Sequence, residues 1–483
     1  CNSTVMGTVQ LYAKGFKDEE TSWEDNIDGS PTKGVTFYGT YHWQHFGVPV
    51  EEVRADPTFY KSYLRKYHED WNKKVDGTTP DITYYAKWEN LVNGSMLKAF
   101  EGYEITQDVA TTYTIAGKMN YCDKTITLTR KAPLVTGSTD ANINNRHYGL
   151  GQNIFGNSYT ASIDITKMNF EAEPQIEPTV YLYNTGRFTD WAIYGDLNEA
   201  VNSGDLSAGQ YTSIPKETAS EIYNGRIPSM NGFLLIHRGQ PNTNGDRYTS
   251  ETDQDVTMTL PYIKDLLPNT LPQTAPRKPL SYLRVGLASK STRDNLWLFS
   301  QPGTTDKLDD GWDGRKFFGT PTAFIYTEND DGPMQVSANE TIDGSVLSFY
   351  ANSDTEYVLT LAKSNLEDYT DLNLIDLLAR TVTPLSSDTT RYRFTANSKG
   401  STIKRFIIAN SANINLNSDK FSLLHGYVKD NSRLIITNFT TQEGIANLFD
   451  ITGKRFINRK MPVSVSEIPV TLEPGVYILD LQA

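Results

Sequence analysis

The sequence predicts an all-β protein, built from several antiparallel β-sandwich domains in tandem. Two observations support this. Its 28 Tyr, 20 Phe and 7 Trp far outnumber its 8 Met, and aromatic and β-branched residues suit a pleated, half-buried surface. Its 34 Gly and 22 Pro break the chain often, with Asn, Asp, Ser and Thr around the breaks, as turns between short strands require.

Apolar and polar residues alternate with a period of two in short runs, each bounded by turn residues. This period is typical of strands with one buried face. The clearest runs are Val346 to Phe349, Tyr357 to Leu361, Tyr392 to Ala396 and Arg405 to Ala409.

Other segments are less regular. Ser62 to His68 has both helical spacing and partial alternation, and we favour a strand. Leu374 to Val382 predicts one strand leading into a turn at Pro384. The short helix candidates are Asp196 to Val201 and Tyr262 to Leu267.

Proline-rich and Asn/Ser-rich stretches predict the domain boundaries. Residues 268–279 contain four prolines, which a central strand does not tolerate, so we expect a linker there. The expected domains are an N-terminal sandwich region over residues 1–275, with a possible split at 133–145, a second sandwich over 280–412, and a small domain over 420–483.

Charge and length exclude some partners. The net charge of −13 argues against nucleic acid, which needs a basic surface. No apolar stretch reaches the roughly 20 residues of a membrane-spanning helix. Of the two cysteines, Cys1 is either a lipid acceptor or an arbitrary boundary. A disulfide with Cys122, which we place in a hairpin loop, is not expected.

Few residues suggest a catalytic or metal site. His42 and His45 would point to opposite faces of a strand, so we expect no zinc site. Asp309, Asp310 and Asp313 lie in a Gly-rich acidic loop and are a weak calcium candidate, although a solvated turn is the favoured interpretation. Gly156 to Tyr159 only superficially resembles a nucleophile elbow. We expect no catalytic residues and no cofactor.

Aromatic residues in the first part of the chain suggest two roles. They could form a sugar-stacking platform or fill a sandwich core, and core packing is favoured. The residues are Trp23, Tyr41, Trp43, Trp71, Tyr84, Tyr85 and Trp88.

The C-terminal residues carry two specific motifs. Asp450-Ile451-Thr452-Gly453-Lys454 follows an apolar strand, and Gly475-Val476-Tyr477 precedes the last one. Together they resemble the C-terminal sorting domain of type IX (Por) secretion cargo in the Bacteroidetes. The resemblance implies an Ig-like domain, with Asp450, Gly453, Lys454, Gly475 and Tyr477 as its motif residues.

Looser matches extend this resemblance to large Bacteroidetes surface proteins, in family order along the chain. They lie at Trp43 to Val50, Gly102 to Thr106, Gly156 to Asp164, Gly311 to Lys316 and Leu372 to Leu377.

The resemblance and the lack of a catalytic motif predict a non-enzymatic module, secreted or at the outer surface of a Gram-negative bacterium. We expect an adhesin-like, display or anchoring role as the C-terminal part of a larger surface protein, and an extracellular glycan or protein as partner. One alternative is a carbohydrate-binding accessory module of a glycan-degrading protein. A glycoside hydrolase with unrecognised carboxylates is the other.

Overall fold

The structure is a computed structural model. It describes residues 4–13, 43–69, 88–107, 110–130, 151–184, 209–241, 248–249, 254–262, 279–318, 323–352, 354–396, 402–411, 424–429, 433–438, 443–462, 465–472 and 475–482. These residues form two compact units. The first holds the described residues up to 262 together with 310–314, and the second holds 279–309 and the described residues from 315 onward.

The first unit consists of short strands in small antiparallel sheets. Its strands are β1 (Met6–Ala13), β2 (Gln44–Phe46), β3 (Glu52–Arg54), β4 (Tyr63–Tyr67), β5 (Trp88–Asn90), β6 (Met96–Lys98), β7 (Tyr103–Thr106), β8 (Thr111–Lys118), β9 (Lys124–Arg130), β10 (Gln152–Gly156), β11 (Ile163–Asp164), β12 (Thr179–Asn184), β13 (Gln210–Pro215), β14 (Arg226–Ile227), β15 (Gly232–Ile236), β16 (Gln240–Pro241), β17 (Tyr248–Thr249) and β18 (Gln254–Leu260).

The described strands of this unit form two four-stranded sheets, in the orders β2-β7-β4-β5 and β10-β15-β12-β13, and five two-stranded ladders, β1-β8, β3-β6, β9-β18, β11-β14 and β16-β17. A four-residue helix, α1 (Ala55–Thr58), and three short 3-10 turns (Ile165–Lys167, Phe170–Ala172 and Tyr223–Gly225) complete the described elements of this unit. Buried side chains from β2, β7 and β8, among them Phe46, Tyr103 and Ile115, form a core.

The second unit contains longer strands. They are β19 (Ser281–Ser289), β20 (Arg293–Ser300), β22 (Phe324–Asn329), β23 (Gly332–Asn339), β24 (Val346–Tyr350), β25 (Glu356–Ser364), β26 (Leu372–Asp376), β27 (Thr381–Pro384), β28 (Thr389–Thr395), β29 (Thr402–Asn410), β30 (Leu424–Lys429), β31 (Arg433–Asn438), β32 (Gly444–Asp450), β33 (Arg455–Met461), β34 (Val465–Pro469) and β35 (Tyr477–Gln482). The short strand β21 (Gly314–Arg315) lies where the chain passes from the first unit to the second.

One large sheet of this unit runs in the order β27-β26-β29-β24-β22-β23-β20-β19-β25-β28, antiparallel except for the parallel pair β20-β23. Its strands share one apolar core, in which the Phe394 ring lies 5.1 Å from Phe349 and 5.0 Å from Phe406. Two three-stranded sheets, β30-β31-β34 and β33-β32-β35, follow along the chain.

The structure confirms the all-β prediction. All four alternating runs lie within strands, namely β24, β25, β28 and β29, apart from the final residue of the third run. The ambiguous segment Ser62 to His68 contains β4, as favoured. The helix candidate over residues 196–201 lies outside the described residues, as does all but Tyr262 of the candidate over 262–267. The proposed linker and the three-domain division stay predictions.

The prediction of one strand over Leu374 to Val382 is wrong, because the chain forms the β26-β27 hairpin there. The turn has a local cause. The Asp376 carboxylate accepts the backbone N–H groups of Leu378 and Ala379, each at 3.0 Å, and Arg380 adopts a φ of 52°. These contacts reverse the chain well before Pro384, which lies in the second strand.

Two expectations for Cys122 are also wrong. Cys122 is disulfide-bonded, so its thiol is not free. The other cysteine of the chain, Cys1, lies outside the described residues. The loop around Cys122 is not a hairpin, because it joins β8, which pairs with β1, to β9, which pairs with β18.

Candidate functional site

The calcium candidates have separate protein partners. The Asp309 carboxylate accepts hydrogen bonds from the backbone N–H of Thr305, at 2.5 Å, and from its hydroxyl. Asp310 belongs to the other compact unit, and both of its carboxylate oxygens accept from the Arg238 guanidinium. Asp313 is buried, and its backbone carbonyl accepts from the Thr179 hydroxyl at 2.9 Å.

These contacts weigh against calcium, because Arg238 already neutralises the charge of Asp310. Within the described residues, no three His, Cys, Asp or Glu side chains are placed to hold a metal ion. An open polar hollow of about 450 Å³ in the second unit is lined by four carboxylates, those of Asp306, Glu328, Glu340 and Asp343. The expectation of no cofactor, with calcium at the 309–313 loop as the minor alternative, stays a prediction.

The first unit contains a row of charged side chains across three neighbouring strands. His45 on β2 and Arg65 on β4 both lie opposite Glu104 on the central strand β7. The Glu104 carboxylate contacts His45 Nε2 at 2.8 Å and accepts from Arg65 Nε at 3.0 Å and Nη2 at 2.5 Å. Directly opposed residues share one face of a sheet, so the register alone brings these groups together.

Aromatic rings enclose this row. The His45 ring stacks on Tyr183 at a centroid distance of 4.1 Å. The Arg65 guanidinium lies 3.7 Å from the centre of the Trp43 ring and 5.3 Å from that of Trp88. Burial and the nearby Glu104 carboxylate raise the pKa of the Tyr183 hydroxyl.

Each charged side chain of this row has a protein partner, as expected for a cluster that stabilises the fold. Glu104 is bound on both sides, and His45, whose strand position was predicted, belongs to no group of three potential metal ligands in the described residues. His42 lies outside the described residues. Of the seven candidate platform aromatics only Trp43 and Trp88 are described, and both contact Arg65. The other five rings lie outside the described residues, and no observation supports the glycan-platform hypothesis.

Three segments that resemble Bacteroidetes surface proteins pack closely together in the first unit. They are Trp43 to Val50, Gly102 to Thr106 and Gly156 to Asp164. A Cβ atom placed on Gly47 would lie 2.6 Å from the Cα of Gly156, and one on Gly102 would lie 2.2 Å from the carbonyl oxygen of Ile154. No side chain fits at such distances, so glycine is required where these backbones cross. Close packing of the backbone therefore explains the glycines in these three segments.

The segment that superficially resembled a nucleophile elbow has structural contacts. The Asn157 side-chain amide donates to the carbonyl groups of Ala161, Ile227 and Pro228, each at 3.0 Å. The Ser158 hydroxyl accepts the backbone N–H of Phe100 at 2.7 Å. Both side chains are fully buried, so neither is presented to a substrate.

The C-terminal motif forms a tight turn between β32 and β33. The Asp450 carboxylate accepts from the backbone N–H of Thr452 at 2.8 Å and that of Lys454 at 3.0 Å, and Gly453 has a φ of 83°. Hydrogen bonds from Thr452 lower the pKa of the Asp450 carboxyl. Tyr477 lies opposite Asp450 across the β32-β35 pair.

Asp450 accepts hydrogen bonds that close the turn, and Gly453 provides its positive φ, whereas Lys454 contributes its backbone N–H. The Lys454 ammonium lies 5.1 Å from the Phe456 ring, which packs edge-on against Tyr477. Gly475 is exposed next to the last strand. The structure thus brings four of the five predicted motif residues together at one end of a sheet.

The sequence reasoning missed two buried ion pairs in the second unit. Lys316 and Asp294 are in contact at 2.5 Å, with their side chains 1% and 0% exposed. Arg405 and Asp376 are in contact at 2.7 Å, with their side chains 5% and 0% exposed. The sequence provided only an indirect indication of these pairs. The segments Gly311 to Lys316 and Leu372 to Leu377, which resemble Bacteroidetes surface proteins, contain one member of each pair, Lys316 and Asp376.

The chain is similar to a curated fimbrial protein. It is 28% identical over 510 aligned positions to the minor fimbrium subunit Mfa5 of Porphyromonas gingivalis. The match covers 100% of this chain and 36% of that protein, so the chain spans about a third of the relative's length. No protein-family model matches the chain, and no solved structure matches it.

The expected resemblance to Bacteroidetes surface proteins is confirmed as homology to this fimbrial subunit. The match does not bear on the sorting-domain assignment, which stays a prediction. In the part of the chain that the structure describes, no helix is long and apolar enough to span a membrane.

Proposed function

We propose that this chain is a non-enzymatic part of a cell-surface fimbrial or adhesin-like protein of a Gram-negative bacterium. One observation carries the proposal. The similarity to the minor fimbrium subunit extends over the whole chain rather than one motif. The role assigned is structural or adhesive, with other surface proteins or extracellular molecules as partners.

The polar residues of the described structure support this proposal. Glu104 is bound by His45 and Arg65, and Asp310 is bound by Arg238. A catalytic acid or base needs a proton-transfer partner in the substrate, whereas these groups are occupied by other protein groups.

The proposal is tested by the location of the protein on intact cells that encode it. Protease added to whole cells should remove the chain, and a periplasmic marker protein in the same cells should survive. Antibody against the chain should label the surface of untreated cells. Survival of the chain until the outer membrane is broken would contradict the proposal.

The C-terminal sheets suggest how the protein reaches the surface. We propose that the sheet β33-β32-β35 is part of a type IX sorting domain, in which the turn at Asp450 to Lys454 and the edge at Tyr477 form the recognised feature. This proposal rests on the sequence motif and on the defined turn that the motif makes. Its test needs a turn variant that folds but is not exported.

A further inference from the structure

The sequence contains four Asn-Gly pairs, which begin at Asn93, Asn224, Asn231 and Asn244. In such a pair the glycine nitrogen can attack the side-chain amide of the asparagine, because glycine has no Cβ to hinder the approach. The attack needs a glycine N–H that is not hydrogen-bonded and a backbone that can rotate. Asn244 lies outside the described residues, and the other three pairs have different surroundings.

The Asn93-Gly94 pair lies in an exposed turn between β5 and β6. The backbone N–H of Ser95 donates to the carbonyl of Val92 at 3.0 Å, which closes a β-turn with Asn93 and Gly94 at its central positions. Both central residues are exposed, and Gly94 has a φ of 94°. In the described part of the chain, the Gly94 N–H has no hydrogen-bond acceptor. Its nitrogen is therefore available for reaction.

The space around this turn is open. A Cβ atom placed on Gly94 would have Nη2 of Arg54 as its nearest neighbour, at 3.9 Å, so the turn can rotate without displacing packed atoms. Arg54 is itself exposed. Its positive charge favours negative charge beside it, both on the glycine nitrogen as it loses its proton and on a carboxylate formed in the turn.

The Asn224-Gly225 pair has the opposite environment. Asn224 is exposed, but Gly225 is buried, and its N–H donates to the carbonyl of Ile222 at 3.1 Å. A Cβ atom placed on Gly225 would lie 3.2 Å from the carbonyl oxygen of Ala219. The glycine nitrogen of this pair is therefore occupied by a hydrogen bond and enclosed by packed atoms.

The Asn231-Gly232 pair is fixed by a strand. The Asn231 carbonyl accepts the backbone N–H of Asn157 at 2.9 Å, and the Asn231 N–H donates to the carbonyl of Pro228 at 3.2 Å. Gly232 begins β15, and a Cβ atom placed on it would lie 2.5 Å from the Cβ of His45. The peptide between these two residues cannot rotate without breaking these contacts.

We propose that Asn93 is a site of spontaneous deamidation in the folded protein, whereas Asn224 and Asn231 are protected. The Gly94 nitrogen attacks Cγ of Asn93, and the Cγ–Nδ2 bond breaks. Nδ2 leaves as ammonia with the proton of the Gly94 nitrogen, and a cyclic imide remains. Water opens the imide by adding its hydroxyl to a carbonyl carbon and its second proton to the nitrogen. Opening at Cγ gives aspartate, and opening at the backbone carbonyl gives isoaspartate.

Either product adds a negative charge beside Arg54. Isoaspartate also routes the main chain through the Cβ of the residue, which lengthens the turn that leads into β6. Because β6 pairs with β3, we expect this longer turn to weaken the pairing. The inference is independent of the function proposed above, because it rests on the local structure of three Asn-Gly pairs.

The test is incubation of the folded full chain in water enriched in heavy oxygen, at several pH values, followed by peptide mass spectrometry. We expect the peptide with Asn93 to incorporate heavy oxygen and to form isoaspartate. The reaction should be faster at higher pH, because hydroxide removes the glycine N–H proton. Asn224 and Asn231 should react at least about tenfold more slowly, because their reaction first breaks native hydrogen bonds. In denaturant, all three sites should react at similar rates.

Asn93→Gln is the matched variant, because it keeps a side-chain amide in the exposed turn while its longer side chain closes a larger ring less readily. It should show no modification at this position and unchanged behaviour at Asn224 and Asn231. A folded wild-type chain in which Asn93 stays intact while the unfolded chain reacts would overturn the inference. So would equal rates at the three sites in the folded chain.

Discussion

At the scale of single residues, several charged groups in the described part of the chain bind other protein groups. Glu104 lies between His45 and Arg65, and Asp376 combines an ion pair with a turn cap. The side-chain pairs do not follow from sequence spacing, because their members lie 29 to 59 residues apart. The sequence could suggest that such residues matter, but only the strand register identifies their partners.

His237 gives a pH-dependent prediction. Its ring is fully buried, and its Nδ1 accepts the backbone N–H of Gly239 at 3.1 Å, a contact that protonation of Nδ1 would break. Burial, followed by the nearby Arg130 charge, lowers the pKa of His237 from 6.5 to about 4. The unfolded chain, in which His237 keeps its ordinary pKa, therefore binds a proton more readily than the folded chain does. This favours folding above pH 6.5, and the contribution to the free energy of unfolding is lost as the pH falls from 6.5 toward 4.

We expect the loss attributable to His237 to be about 2 kcal/mol. Asn in its place can accept from Gly239 without titrating, so His237→Asn should lose less unfolding free energy between pH 7 and pH 4.5 than the wild type. Denaturant titrations at both pH values measure this difference. His68→Asn, at a partly exposed histidine, is the control. Equal pH dependence in wild type and His237→Asn would refute the explanation.

The Asp376–Arg405 pair gives a prediction about stability. Arg405→Met leaves the fully buried Asp376 charge uncompensated, which costs about 3–5 kcal/mol of unfolding free energy. The adjacent Lys404 pairs with Glu328, and both side chains are more than a third exposed. Lys404→Met should therefore cost about 0–1 kcal/mol. Denaturant midpoints of the two variants compare them directly, and similar losses would contradict the structural argument.

At the scale of elements, alternation identified strands well and turns poorly. Leu283, Val285 and Leu287 on β19 face the core at every second position, and this period is visible in the sequence. The β26-β27 hairpin was missed because its turn depends on the Asp376 carboxylate and a positive φ at Arg380. Asp is common in turns, but Asp376 lies within an apolar run that continues through Leu378, and an Arg does not indicate a positive φ.

The Asp450 to Lys454 turn gives the prediction for export. Gly453 and Gly332 both have a positive φ, 83° and 115°, and an added Cβ would meet no atom within 4 Å at either position. Substitution by Ala should strain both turns, by about 1 kcal/mol or more, and more at Gly332, whose φ lies farther from the left-handed region. If the turn is recognised for sorting, Gly453→Ala should reduce the amount of surface-exposed protein, and Gly332→Ala should not.

The measurement is the ratio of surface-exposed to total protein for each variant in the native bacterium, with thermal unfolding as a check that both variants fold. Equal export of the two glycine variants, at equal stability, would argue against recognition of the turn.

At the scale of the whole molecule, composition was enough to predict the all-β class. It was not enough to identify the compact units. Residues 310–314 belong to the first unit although they follow the proline-rich stretch in the sequence. Nothing in the sequence indicates that this later segment packs with the first unit.

We propose that the chain belongs to a fimbrial or adhesin-like structure at the cell surface. Shearing intact cells, collecting the released filaments and quantifying the chain there by mass spectrometry tests this proposal most directly. We expect the chain to be enriched in the filament fraction together with other surface subunits. A chain found only in the cell bodies or as free monomer in the medium would contradict it.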